Sequence, residues 1–109
     1  MKTRLAIILG VVVLCSCASA GVAKEAQAAP SGEELFRIHC HVCHPKGGNI
    51  INPKKTLSKK DREANNVKTP EDIIKNMRKP GPGMNPFPPS TLPDDEARKI
   101  ADYILKTFK

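Results

Sequence analysis

From residue 31 onward, apolar positions recur at helical spacing between polar, Pro-rich and Gly-rich breaks. No stretch keeps the two-residue alternation of a strand. Ser31 with Glu34 three residues later is a capping box, and it opens a helix carrying Leu35, Phe36 and Ile38 toward the segment Cys40–His44. Ser58 to Ala64 is short and strongly charged and predicts a second, small helix. A third runs from Thr69 to Lys79. Thr69 suits the N-cap, Pro70 the first helical position, and Glu71 and Asp72 the first turn. Ile73, Ile74 and Met77 share one face of it, which makes Met77 a core packing residue, and Pro80 ends it. In the last helix Ala97, Ile100, Ala101, Ile104, Leu105 and Phe108 form one apolar stripe. Asp94, Asp95 and Glu96 sit at its start and Lys106 and Lys109 at its end, the arrangement a helix dipole favours. The expectation is an all-α domain of about four short helices.

The first residues follow another pattern. Lys2 and Arg4 precede an apolar run from Leu5 to Leu14, and the small residues Ala18-Ser19-Ala20 follow Cys17. That order is an export leader. The run is shorter than the ~20 residues a membrane span needs, which weighs against an N-terminal anchor helix. Leu14-Cys15-Ser16-Cys17 resembles a lipobox, with residues 1–16 removed and Cys17 lipidated, and Cys15 is unusual at its position. A cut after Ala20 is the rival and gives a soluble protein. Residues 17–30, rich in Ala and without an apolar face, form a flexible tether, leaving 31–109 as the folded unit. The domain is then exported: periplasmic, or anchored to the outer membrane as a lipoprotein.

A unit this small has a marginal core and calls for a staple, a metal or a cofactor. The chain has four cysteines. Cys15 and Cys17 belong to the leader, so Cys40 and Cys43 remain, spaced C-x-x-C. A disulfide or a redox-active pair is the plain alternative in an exported protein. His44, however, completes Cys40-His41-Val42-Cys43-His44, the C-x-x-C-H haem attachment pattern. Two thiols one helical turn apart reach the two vinyl groups of one porphyrin edge, and the next residue sets an imidazole under the iron. Zinc needs four ligands, and only His39 and His41, crowded beside the pair, could complete a set. The pattern occurs once, so one covalent haem c is expected, held by Cys40, Cys43 and His44.

A second axial ligand is sought among the methionines that follow. Met84 lies in Lys79-Pro80-Gly81-Pro82-Gly83-Met84-Asn85-Pro86-Phe87-Pro88-Pro89, where neither helix nor strand survives. A stiff loop presents a ligand at small entropic cost, so His44 and Met84 are the expected metal ligands. Sulfur ligation raises the potential relative to nitrogen alone.

With these residues in place the chain resembles a class I c-type cytochrome, and most of all the cytochrome c6-like monohaem family. Gly32-Glu33-Glu34-Leu35-Phe36 resembles that family's opening helix, where a Gly and a Phe meet the last helix. Gly47-Gly48-Asn49 with Pro53-Lys54-Lys55-Thr56-Leu57 resembles the loop after the haem motif. Met84 with Phe87 resembles the methionine loop, although Asn85 separates Met84 from Pro86. Asp95-Glu96 and Ala101-Asp102-Tyr103-Ile104 resemble the closing helix, with Tyr103 at the helix crossing. The chain is also similar to the monohaem outer-membrane cytochromes of metal-reducing bacteria. The resemblance implies a class I cytochrome c fold over residues 31–109, and a one-electron carrier rather than an enzyme. It also implies that a proline carbonyl holds the free nitrogen of His44, with Pro53 as candidate and Pro45 as rival.

Charge adds a partner. The chain carries 18 basic and 11 acidic residues, and losing Lys2 and Arg4 with the leader lowers its net +7 to +5. Lys46, Lys54, Lys55, Lys59 and Lys60 follow the haem motif, and Arg78 and Lys79 precede the methionine loop. Such a surface steers encounters with acidic redox proteins, and a solvated loop surface reads equally well. Nucleic-acid binding lacks aromatic stacking platforms. A monomer is expected. His41, beside the haem attachment, is a candidate for coupling protonation to potential, in competition with the haem propionates. The alternative to a carrier is a haem enzyme or a gas or peroxide sensor with a displaceable Met84.

Overall fold

The computed structural model describes Gly21 and residues 27–109. The leader, the lipobox at Cys17 and the alternative cut after Ala20 lie outside the described residues. Among those described, the chain forms α1 (Gly32–His39), α2 (Lys59–Ala64), α3 (Pro70–Arg78) and α4 (Asp94–Thr107), with a 3-10 turn at Pro45–Gly47. There is no strand among them, and no helix is long and apolar enough to cross a membrane.

Local chemistry sets the helix starts. Ser31 Oγ accepts from Glu34 N at 3.2 Å, and Glu34 Oε2 accepts from Ser31 N at 2.8 Å. Thr69 and Asp72 repeat the same reciprocal cap at α3. Ser58 caps α2 through the Asp61 N–H. That helix ends at Asn65, and Asn66 takes the left-handed conformation (φ 60°) that asparagine tolerates.

α4 packs against both α1 and α3. Ala97, Ile100 and Ala101 on it are fully buried, and Leu35, Phe36, Ile73, Met77, Leu92 and Ile104 complete the core. Met77 is therefore a core residue, as its helical register predicts. Gly32 sits at the α1–α4 crossing, where a Cβ would collide with the Lys99 carbonyl oxygen. Phe36 and Tyr103 meet there with ring centroids 5.3 Å apart.

Two placements differ from the sequence pattern. Ile38 is 62% exposed, because the inward stripe of α1 runs through Leu35, Phe36 and Cys40 and leaves Ile38 on the outer side. Phe108 lies past the end of α4 as its C-cap. Its ring turns back onto Phe36 (5.4 Å) and covers Gly47, whose φ of 77° and lack of a Cβ allow the contact. The last aromatic thus ties the C-terminus to the segment after His44.

The caps make the fold acid-sensitive. Glu34 is lowered by the Ser31 N–H and hydroxyl, Asp61 by the Thr56 hydroxyl and N–H, and Asp72 by the Lys68 and Thr69 N–H groups. Their stabilisation is fully present above the ordinary carboxylate values of 4.5 and 3.8 and is lost as pH falls below them. The melting temperature of Thr56→Val should accordingly fall less steeply with acidification than that of the wild type. Parallel slopes would remove Asp61 from this account.

Candidate functional site

A cavity of about 420 Å³ opens between the α1–loop segment, α2, α3 and the loop after α3. That volume lies within the range of small-molecule and cofactor sites. Cys40, Cys43, His44 and Met84 all line it. The four come from two segments 40 residues apart in sequence, one ending α1 and one in the Pro- and Gly-rich loop. Leu57, Val67, Ile73, Met77 and Ile104 supply apolar wall. Met77 thus serves the core and the wall at once.

The Cys40–His44 segment is a tight turn. Cys43 N and His44 N both donate to Cys40 O, at 3.2 and 2.9 Å. Neither cysteine is in a disulfide. Burial, and secondarily the neighbouring Cys43, pushes the Cys40 thiol up to about 12. Among the described residues, no three His, Cys, Asp or Glu side chains converge as a metal-holding group.

His44 Nδ1 lies 2.7 Å from the Gly48 carbonyl oxygen. A carbonyl can only accept, so Nδ1 carries the proton and Nε2 keeps its lone pair for a metal. This corrects the expectation of Pro53, or Pro45, as the partner. The 3-10 turn after His44 folds the Gly48 carbonyl back onto the ring four residues away, and Pro53 is left exposed on the surface. Asn49 then organises the loop: its Oδ1 accepts from Ile51 N (2.9 Å) and Asn52 N (2.8 Å), and its Nδ2 donates to Lys55 O (2.9 Å). His41 is exposed, and His39 meets the Phe87 ring edge-on at 6.0 Å.

Two arginines, Arg62 and Arg78, stand out from the exposed cations around the site. Arg62 is 6% exposed, lines the cavity, and makes no ion pair among the described residues. It donates to Leu57 O (2.8 Å) and Phe108 O (3.2 Å), which leaves guanidinium N–H groups for an anionic group in the cavity. Arg78 was grouped with the docking lysines, and the structure withdraws it from them. Its side chain is only 18% exposed and its charge is committed to Asp94. No sequence signal separates these two from the exposed lysines, because a short α2 shows no clear inward face and the acceptors of Arg78 lie 9 to 16 residues further along the chain.

The donor set suits a haem of the c type: two thiols one turn apart, an imidazole with a free Nε2, a thioether on a separate loop, an apolar wall and one buried cation. Comparison with known proteins agrees. Residues 27–104 match the family described as cytochrome c oxidase, cbb3-type, subunit III. Cytochrome c6 of Cyanidium caldarium is 37% identical over 75 residues, covering 68% of this chain and 66% of that protein. Cytochrome c6 of Leptolyngbya boryana is 36% identical over 77 residues, covering 71% and 89%. The solved structure of outer membrane cytochrome F, OmcF, from Geobacter sulfurreducens matches with a TM-score of 0.71 at 44% identity, over 72% of this chain and 100% of that one. Cytochrome c6C from Synechococcus sp. PCC 7002 gives a TM-score of 0.66 at 27% identity, over 71% and 93%. Sequence, fold and donor set converge: the chain belongs to the class I c-type cytochromes, all-α proteins with one covalently bound haem c that carry electrons rather than catalyse a reaction.

Proposed function

We propose that Cys40 and Cys43 attach the haem by thioethers, that His44 and Met84 are its axial ligands, and that the chain relays single electrons between redox proteins outside the cytoplasm. One observation carries this reading: these four side chains, distant in sequence, line one cavity. The haem supplies a one-electron iron couple. The protein's part is to hold it in a largely apolar wall, to fix the His44 tautomer through Gly48, and to set the positive Arg62 beside it. A buried positive charge favours the state with one more electron. The leader pattern and the likeness to OmcF, an outer membrane cytochrome, support a periplasmic or outer-membrane-associated location, with Cys17 as the lipid anchor point.

The docking face is proposed around the attachment segment. Val42, Ile50 and Ile51 are 77%, 62% and 57% exposed, and Lys46, Lys54 and Lys55 are exposed around them. An apolar centre with a cationic rim fits a partner with an acidic surface. Charge reversal at Lys54→Glu with Lys55→Glu should slow oxidation by anionic ferricyanide about tenfold at low salt, the lower end of electrostatic steering. A cationic cobalt oxidant should react faster with the same variant. Equal changes with both oxidants would remove the lysines from the docking account.

A further inference from the structure

Arg78 is the last residue of α3, and the loop that carries Met84 begins two residues later at Pro80. Its guanidinium reaches across that loop to its far limb. Nη1 donates to the carbonyls of Phe87 (2.6 Å) and Leu92 (2.8 Å), and Nη2 pairs with Asp94 Oδ1 (2.5 Å) at the start of α4. The Phe87 N–H returns to the Met77 carbonyl at 2.7 Å. Both backbone polar groups of Phe87 are therefore held by the last turn of α3. Among the described residues, 80–86 make no hydrogen bond to the rest of the chain. The Met84 segment hangs between α3 and the Phe87 anchor.

We infer that Arg78 is the positioning residue of the methionine loop: it fixes the loop across the cavity and sets how readily Met84 can be displaced from the iron. The inference rests on the His44/Met84 reading. Three charge-assisted bonds converge on one planar fork, shielded on most sides from competing water. Lysine keeps the charge but not the fork, so it holds fewer of the three acceptors at once. An electron carrier benefits directly. A ligand loop pinned at its far end changes little between redox states and yields only slowly to a small ligand.

The test follows displacement of Met84 by excess imidazole in the oxidised, haem-loaded protein, read as loss of the sulfur-to-iron charge-transfer band. Arg78→Gln should lose the band about tenfold faster than wild type, the effect of one charge-assisted bond on a rate. Arg78→Lys, which keeps the charge and folds more safely, should fall between them. Ile100→Val, a core truncation away from the cavity, supplies a comparable loss of stability and should leave the rate unchanged. Wild-type rates in both Arg78 variants would overturn the proposal, as would equal acceleration by Ile100→Val. A wild type without the band would sink the ligand reading, and the clamp with it. A band present with unaltered kinetics would sink the clamp alone.

Discussion

Chain exported with both Cys40→Ala and Cys43→Ala should carry no haem through denaturing extraction, and should lose its cooperative melting transition. Two effects add. The covalent links go, and the 420 Å³ cavity between the helices is left without its filling. At ~24 cal/mol per Å³, an empty cavity of that size costs on the order of 10 kcal/mol, an upper value because water enters the polar side. A small domain has only ~5–15 kcal/mol of stability in all. The single variants should retain one thioether and a weakened fold. Intact mass and a circular-dichroism melt check both statements. A double variant that melts like the wild type would show that the fold stands without the group.

Met84→Ala should convert the site from closed to open. The sulfur-to-iron band disappears, the reduced protein binds carbon monoxide, and the potential falls on the order of a tenth of a volt or more, since sulfur ligation favours the reduced state. Met77→Leu is the control. Met77 also faces the cavity, but it is 4% exposed within the core, and its helix-bound backbone keeps it there. That variant should keep the band and lose only packing, a volume-conserving change costing under ~1.5 kcal/mol. If Met77→Leu removed the band and Met84→Ala did not, the ligand assignment would pass from one methionine to the other.

The helices could be read from the chain because their signals are local. The Ser31/Glu34 and Thr69/Asp72 caps and the Ala97–Ile104 stripe each lie within a few turns. The Cys40–His44 turn is equally local, as is the placing of Met77 on a helix face and Met84 in a broken loop. What could not be read depends on chain reversal. The Gly48 carbonyl reaches His44 Nδ1 only because the 3-10 turn at Pro45–Gly47 folds back, whereas the family resemblance pointed to Pro53, with Pro45 as rival. Arg62 reaches Phe108 across 46 residues, and Arg78 reaches Asp94 across 16. Contacts of that range leave no periodic trace, so both arginines resemble the lysines that do remain at the surface.

The most direct test of the account is the visible spectrum of the exported wild type, oxidised and reduced, before and after carbon monoxide. A covalent, low-spin haem with a sulfur-to-iron band, unchanged by carbon monoxide, is the result expected of a His44/Met84 electron carrier. A high-spin spectrum that shifts on adding carbon monoxide would contradict it and place an open iron site in this cavity.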